Sequence, residues 1–180
     1  AGTLAAIIYE PVLQGAGGMR IYSPDLIKRL RQWTDAHDVF LIADEIAAGM
    51  GRCGAMLAGH LTGVRPDIAV LGKCLTAGVL PMAAILTTDH LYDIFDADYQ
   101  DGRAFLHSNT FAGNALAVAV ANAVLDTFVD EDVLAQVERN GALLRGTVAD
   151  LMPSRPYLRN ARGIGMVAAV DLMTKGGEAL

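Results

Sequence analysis

Charge, sulfur and clustered basic residues are all scarce in this sequence. Of 180 residues only 19% are charged, below the ~25% of ordinary globular domains. Hydrophobic residues make up 53%. That balance argues against a disordered chain, a coiled coil and a charged solenoid. It asks instead for a core covered on more than one side, as in a parallel sheet with helices on both faces. Fourteen Lys and Arg stand against 20 acids, for a net charge of −6. With no block of like charge, the basic footprint that phosphate binding needs is missing, which argues against a nucleic-acid partner. Two cysteines, Cys53 and Cys74, make neither a disulfide framework nor a Cys-x-x-Cys metal motif, and the reading is a reduced, cytoplasmic protein. The histidines His37, His60, His90 and His107 include no pair at i,i+3 or i,i+4 spacing, so no metal site is expected. The one long charge-free run, residues 104–125, carries His107, Ser108, Asn109, Thr110, Asn114 and Asn122. Those polar groups argue against a membrane span, and the run reads as a loop followed by a buried helix. The chain opens at Ala1 without Met or a signal-peptide pattern, and the expectation is a piece of something longer.

What is present alternates between short apolar runs and helical patterns. Residues 4–9, 39–43, 68–71 and 82–87 read as buried strands. Ser23-Pro24-Asp25 is a helix start: a Ser cap, Pro in the first turn and an acid at the positive helix end. Leu26, Ile27, Leu30 and Trp33 recur at helical spacing, predicting one core-facing stripe and an end near His37-Asp38. Further helices are expected at 89–95, 115–128 and 132–151, and one more strand at 166–170. The first helix is the crossover between parallel strands. The third and fourth strands have no long helix between them, so their pairing can differ. Gln14-Gly15-Ala16-Gly17-Gly18 reads as a loop. Prolines and glycines after Pro153 mark a boundary.

Several motifs fail. Gly15-x-Gly17 lacks a glycine at position 20, which is Arg20, so it is no dinucleotide fingerprint; Gly72-Lys73 ends no P-loop, because Asp67 and Cys74 stand where Gly and Ser or Thr belong. No Gly-x-Ser-x-Gly elbow occurs. What remains is a pair. Asp44 closes one expected strand and Lys73 follows another, and ligand sites in open parallel sheets lie beyond the carboxyl ends of strands. The plain reading is a structural ion pair. The sharper one is a pyridoxal phosphate site, in which the lysine joins the cofactor aldehyde and the acid holds the pyridine nitrogen protonated. The lysine must then lose its own proton, which desolvation or a nearby cation favours.

The order of motifs weighs on that choice. Ile42-Ala43-Asp44-Glu45-Ile46, Gly49-Met50-Gly51-Arg52 and Leu71-Gly72-Lys73 together resemble the class III aminotransferases, which are fold-type I pyridoxal phosphate enzymes. Glu10-Pro11, the 107–114 segment and Arg162-Gly163-Ile164-Gly165 agree in order, so the resemblance runs nearly the whole chain. Within the class, the Val12–Arg20 stretch, with Ala16 where relatives tend to have an acid and Ala47 where they tend to have Gln, resembles the diaminopelargonate-synthase branch.

The resemblance implies an α/β fold: part of the mainly parallel-sheet large domain of a fold-type I transferase, with the start of a small C-terminal α+β domain. Residues 1–128 would be the second half of the large domain, 129–152 a connecting helix and 153–180 the beginning of the small domain. It implies that Lys73 is catalytic and binds pyridoxal 5'-phosphate together with Asp44, Ile46 and Thr110. Ile46 would pack on the cofactor ring, where the alternative is plain core. Thr110 would reach the cofactor phosphate of the partner subunit in a homodimer whose site lies at the subunit interface. The alternative for Thr110 is a helix cap, which Asn114 fits better. Gly15, Gly17 and Gly18 would shape a loop near the site or be an ordinary turn, and Arg52 would lie near the site or be simply solvated. The implied activity moves an amino group from S-adenosylmethionine to 7-keto-8-aminopelargonate, a step of biotin synthesis. Another ω-amino acid aminotransferase or aminomutase is the alternative within the class. A non-catalytic α/β domain is the alternative outside it. The 180 residues alone are expected to be inactive.

Overall fold

The computed structural model describes residues 3–107 and 109–178; Ser108 of the 107–114 motif and the termini of the expected domains lie outside them. Four strands make the main sheet: β1 (Ala6–Tyr9), β4 (Phe40–Asp44), β5 (Ile68–Leu71) and β6 (Ala84–Thr87), in the order β1-β4-β5-β6. β1 and β4 are parallel, as are β4 and β5, while β6 runs antiparallel to β5. Helix α1 (Pro24–His37) supplies the crossover from β1 to β4. The link from β5 to β6 holds only a 3₁₀ turn (Lys73–Thr76); without the helix that usually carries a parallel crossover, the strand folds back antiparallel.

Helix α1 begins as its sequence predicts. The Ser23 hydroxyl accepts the Asp25 N–H at 3.2 Å, and Asp38 closes the helix in a left-handed conformation. Its buried stripe differs from the expected one. Ile27 and Thr34 are buried, whereas Leu26 and Trp33 are 47% and 43% exposed. Trp33 instead stacks on His37, with ring centroids 4.1 Å apart. On the inner side, Arg31 binds Asp67 at 2.8 Å, and the same Asp67 oxygen accepts the Leu41 N–H at 2.7 Å. One carboxylate thus ties α1 to the start of β4.

The glycine-rich stretch is the expected loop over residues 15–19, and it is closed at its base by a small antiparallel pair, β2 (Leu13–Gln14) with β3 (Arg20–Ile21). Helix α2 (Asp89–Phe95) lies where expected. Helix α3 (Ala115–Asp130) follows the 109–114 turn, and Asn114 caps it by accepting the N–H groups of Leu116 and Ala117. It is not the buried helix expected from its composition. Ala117 and Ala121 are buried, but Leu116 is 72% and Val129 80% exposed. Ala121, with Val124 and Phe128, packs α3 on the core around Met50 and Leu71, while Leu116 and Val129 point outward. Helix α4 (Val133–Leu151) leads into an antiparallel hairpin, β7 (Leu158–Ile164) and β8 (Val167–Leu172). The sequence reading placed a strand near β8 and missed β7, because Arg159, Asn160 and Arg162 break its apolar pattern.

Candidate functional site

Register places the two expected residues at one end of the sheet. Asp44 is the last residue of β4 and pairs with Val70 of β5; Lys73 lies just past the end of β5. Both parallel strands therefore deliver a charged residue to their carboxyl end. The plain ion-pair reading fails here. Among the described residues the ion pairs are Lys28–Asp25, Arg31–Asp35, Arg31–Asp67, Arg103–Asp101 and Arg162–Asp171, and Asp44–Lys73 is not one of them. One Asp44 oxygen accepts the Ile46 N–H at 3.0 Å, leaving the second uncommitted among the described residues.

Between the pair lies apolar surface. A methyl group placed on Gly72 would sit 3.3 Å from Ile46 Cγ2, so the missing side chain at Gly72 lets Ile46 close on the backbone next to Lys73. Lys73 itself adopts φ 41°. That is a strained region for a residue with a β-carbon, costing about 1–3 kcal/mol and often found where geometry serves function. Packing holds it there: Leu71, Leu75, Met50 and Ala121 form a buried cluster around the turn.

The exposed Lys73 side chain opens on a cleft of about 740 Å³, inside the ~300–1,000 Å³ span of small-molecule sites. Gly15 and Met19 of the β2–β3 hairpin, Ala47, Arg52 and Cys74 wall it, and so does Val167 from β8. Arg52 Nη2 lies 3.6 Å from Cys74 Sγ. Asp44 and Ile46 are half-buried at the sheet end beside it. Gly17 and Gly18 line a different cleft, with Arg20, Tyr22 and Arg162. Thr110 sits in the exposed turn before α3 and does not reach the Lys73 cleft of its own chain.

Glu45 had no assigned task in the sequence. It is 2% exposed, and its two oxygens accept the N–H groups of Gly59 at 2.7 Å and Ala58 at 2.8 Å. It thereby caps the 3₁₀ helix Ala58–Thr62 from a distant part of the chain. Burial pushes its carboxyl above the usual range, against the pull of those two N–H groups and of His60. Cys53 is buried at 2% exposure, and burial, then the charge of Glu45, push its thiol up to about 11. Cys53 is chemically quiet. Arg162 and Val167 were also unassigned; the signal for the first was a charged residue directly before Gly163-Ile164-Gly165.

Comparison with known proteins gives one consistent answer. Residues 1–179 match the family model for aminotransferase class-III. The adenosylmethionine-8-amino-7-oxononanoate aminotransferase of Geobacter sulfurreducens is 41% identical over 96% of this chain and 38% of its own length. A Bacillus anthracis aminotransferase superposes with a TM-score of 0.90 at 29% identity, over 96% of this chain and 38% of that one. The ornithine aminotransferase of Toxoplasma gondii, whose structure shows partial occupancy of PLP, gives a TM-score of 0.82 at 35% identity, over 93% and 38%. The chain spans about two fifths of the length of these relatives.

Proposed function

The chain belongs to the class III aminotransferase family, and on that premise we propose that it serves a pyridoxal phosphate-dependent transamination. The carrying observation is Asp44 and Lys73 at adjacent parallel strand ends, unpaired with each other. The residues present fit this cofactor. An uncommitted carboxylate oxygen suits a pyridinium N–H, Ile46 offers an apolar face for a ring, and an unpaired amine suits an aldehyde.

When bound, pyridoxal phosphate supplies the aldehyde carbon that takes the amine and a ring that accepts an electron pair. Asp44 holds the ring nitrogen protonated and so keeps that ring electron-withdrawing. Ile46 would offer its apolar side chain to one face of the ring. Lys73 Nζ takes the proton from the donor's amine-bearing carbon and later returns one to the acceptor carbon. Thr110 would lend its hydroxyl to the cofactor phosphate of a partner subunit, which would make the working form a homodimer, and the free cysteines Cys53 and Cys74 suit a cytoplasmic setting. Among the described residues no helix is long and apolar enough to cross a membrane.

The small-molecule partners we propose are S-adenosylmethionine as amino donor and 7-keto-8-aminopelargonate as keto acceptor. The similarity to the Geobacter relative, together with Ala16 and Ala47, supports this choice over ornithine. Two experiments on the full-length protein test it. Borohydride reduction in the presence of cofactor, followed by peptide mapping, is expected to place the adduct on Lys73; an unmodified Lys73 would sink the aminotransferase reading. Parallel assays with S-adenosylmethionine, ornithine and 4-aminobutyrate as donors are expected to favour the first. Activity only with the other two would reject the biotin-pathway assignment.

A further inference from the structure

The Arg162-Gly163-Ile164-Gly165 motif touches neither Asp44 nor Lys73, yet it reaches both loops that wall the Lys73 cleft. Arg162 Nε donates to the carbonyls of Gly18 and Met19 at 3.2 and 3.1 Å, and Nη2 donates to Gly18 again at 2.6 Å. Asp171 on β8 holds the same guanidinium at 2.8 Å. The two carbonyls belong to consecutive residues in left-handed conformations, Gly18 at φ 96° and Met19 at φ 53°. Met19 is the strained one, having a side chain. At the hairpin tip, the Met166 N–H donates to the Arg52 carbonyl at 3.0 Å. Val167, one residue on, lines the cleft beside Met19 and Lys73.

We propose that Arg162 is a positioning residue for the substrate side of the Lys73 cleft. Its guanidinium holds the 15–19 loop, and with it Met19, in register with Val167 of its own hairpin. The planar fork matters, because donors in one plane serve the carbonyls of Gly18, Met19 and Asn160 and the Asp171 carboxylate at once, which a lysine ammonium cannot reproduce in that geometry. The effect falls on substrate binding rather than on cofactor capture, because Arg162 bonds Gly18, Met19, Asn160 and Asp171 and neither Asp44 nor Ile46. This inference rests on the aminotransferase reading, and its test keeps the two apart.

The variants are R162K and R162Q, with R159Q as control, since Arg159 lies on the same strand and bonds only its neighbour's carbonyl, at 2.9 Å. The first readout needs no activity. In the cofactor-free full-length protein, iodoacetamide alkylation of Cys74, which shares the cleft with Met19, is measured by peptide mapping against buried Cys53. R162Q is expected to speed Cys74 labelling severalfold and R159Q to leave it unchanged. The second readout is steady-state kinetics of the loaded enzyme. R162Q is expected to raise the amino-donor KM about tenfold and R162K about threefold, with kcat and cofactor loading within a factor of about two. Unchanged Cys74 labelling, or faster labelling with an unaltered KM, overturns the proposal. So does an equal response from R159Q, which would mean that only hairpin stability matters. If R162Q does not fold, D171N must move both readouts in the same direction; no movement overturns the proposal. A parent protein without transaminase activity removes the functional reading, and Cys74 labelling then decides the loop contact by itself.

Discussion

At the scale of single residues, Glu45 shows how a buried charge can be structural while sitting next to a functional one. Its peptide neighbours are Asp44 and Ile46, and its carboxylate secures two backbone N–H groups that would otherwise be buried without partners. Glu45→Ala is expected to cost about 3–5 kcal/mol, because each orphaned N–H costs ~1–3 kcal/mol and a void is added. Urea unfolding checks this, and a loss below about 1 kcal/mol would show that water replaces the carboxylate. The pH dependence has a definite sign. Burial raises the carboxyl's folded pKa above its ordinary 4.5. A group shifted upward contributes fully below its unfolded pKa and loses that contribution as pH rises through the folded one. The stability advantage of the parent over E45Q should therefore shrink above pH 4.5, and a gap that widens toward neutrality would contradict the shift.

At the scale of elements, close approach of backbones decides more than propensity does. Gly141 lies in α4 with the Gly165 carbonyl so near that an added β-carbon would collide with it. Intrinsic propensity favours Ala over Gly in a helix by about 1 kcal/mol, but overpacking against backbone costs roughly 1–3 kcal/mol. Gly141→Ala should be net destabilising, visible as a lowered Tm, and a raised Tm would mean that the hairpin shifts freely. Such contacts are invisible in one dimension. The core strands were legible because β4 and β5 follow unbroken apolar runs, and β6 was rightly set apart because no long helix precedes it. Capping at Ser23 and Asn114 was legible because it is local. β7 was not, since Arg159 and Arg162 make it look like a loop until their partners on other elements are known. The same limit applied to the site. Asp44 and Lys73 stand out as charges after apolar runs, while Met19 and Val167 are ordinary apolar residues until folding brings them to one cleft.

For the whole molecule, the apolar excess of the sequence is only partly spent on its own core. Leu106, Phe111, Leu116 and Val129 are each more than 70% exposed, and Ile8 and Ile85 on the two outer strands more than 60%. Exposed apolar patches and open sheet edges of this kind invite association. The 180 residues expressed alone are expected to self-associate and to capture pyridoxal phosphate weakly, as judged by light scattering and by cofactor absorbance after gel filtration. A monodisperse monomer that retains cofactor and transaminates would refute both expectations.

The hold of Arg162 on Gly18 spans 144 residues of sequence, and loops closed over such distances form late because their entropy must be lost first. The β2–β3 loop is synthesised well before its anchor and meets it only after β7 and β8 have been made. During synthesis the floor of the cleft, built from β4 and β5, can therefore form before its walls. A nascent chain stalled before residue 158 would carry Lys73 on a sheet end still open on the Met19 side. The β7–β8 hairpin thus acts as a timer on when the site closes.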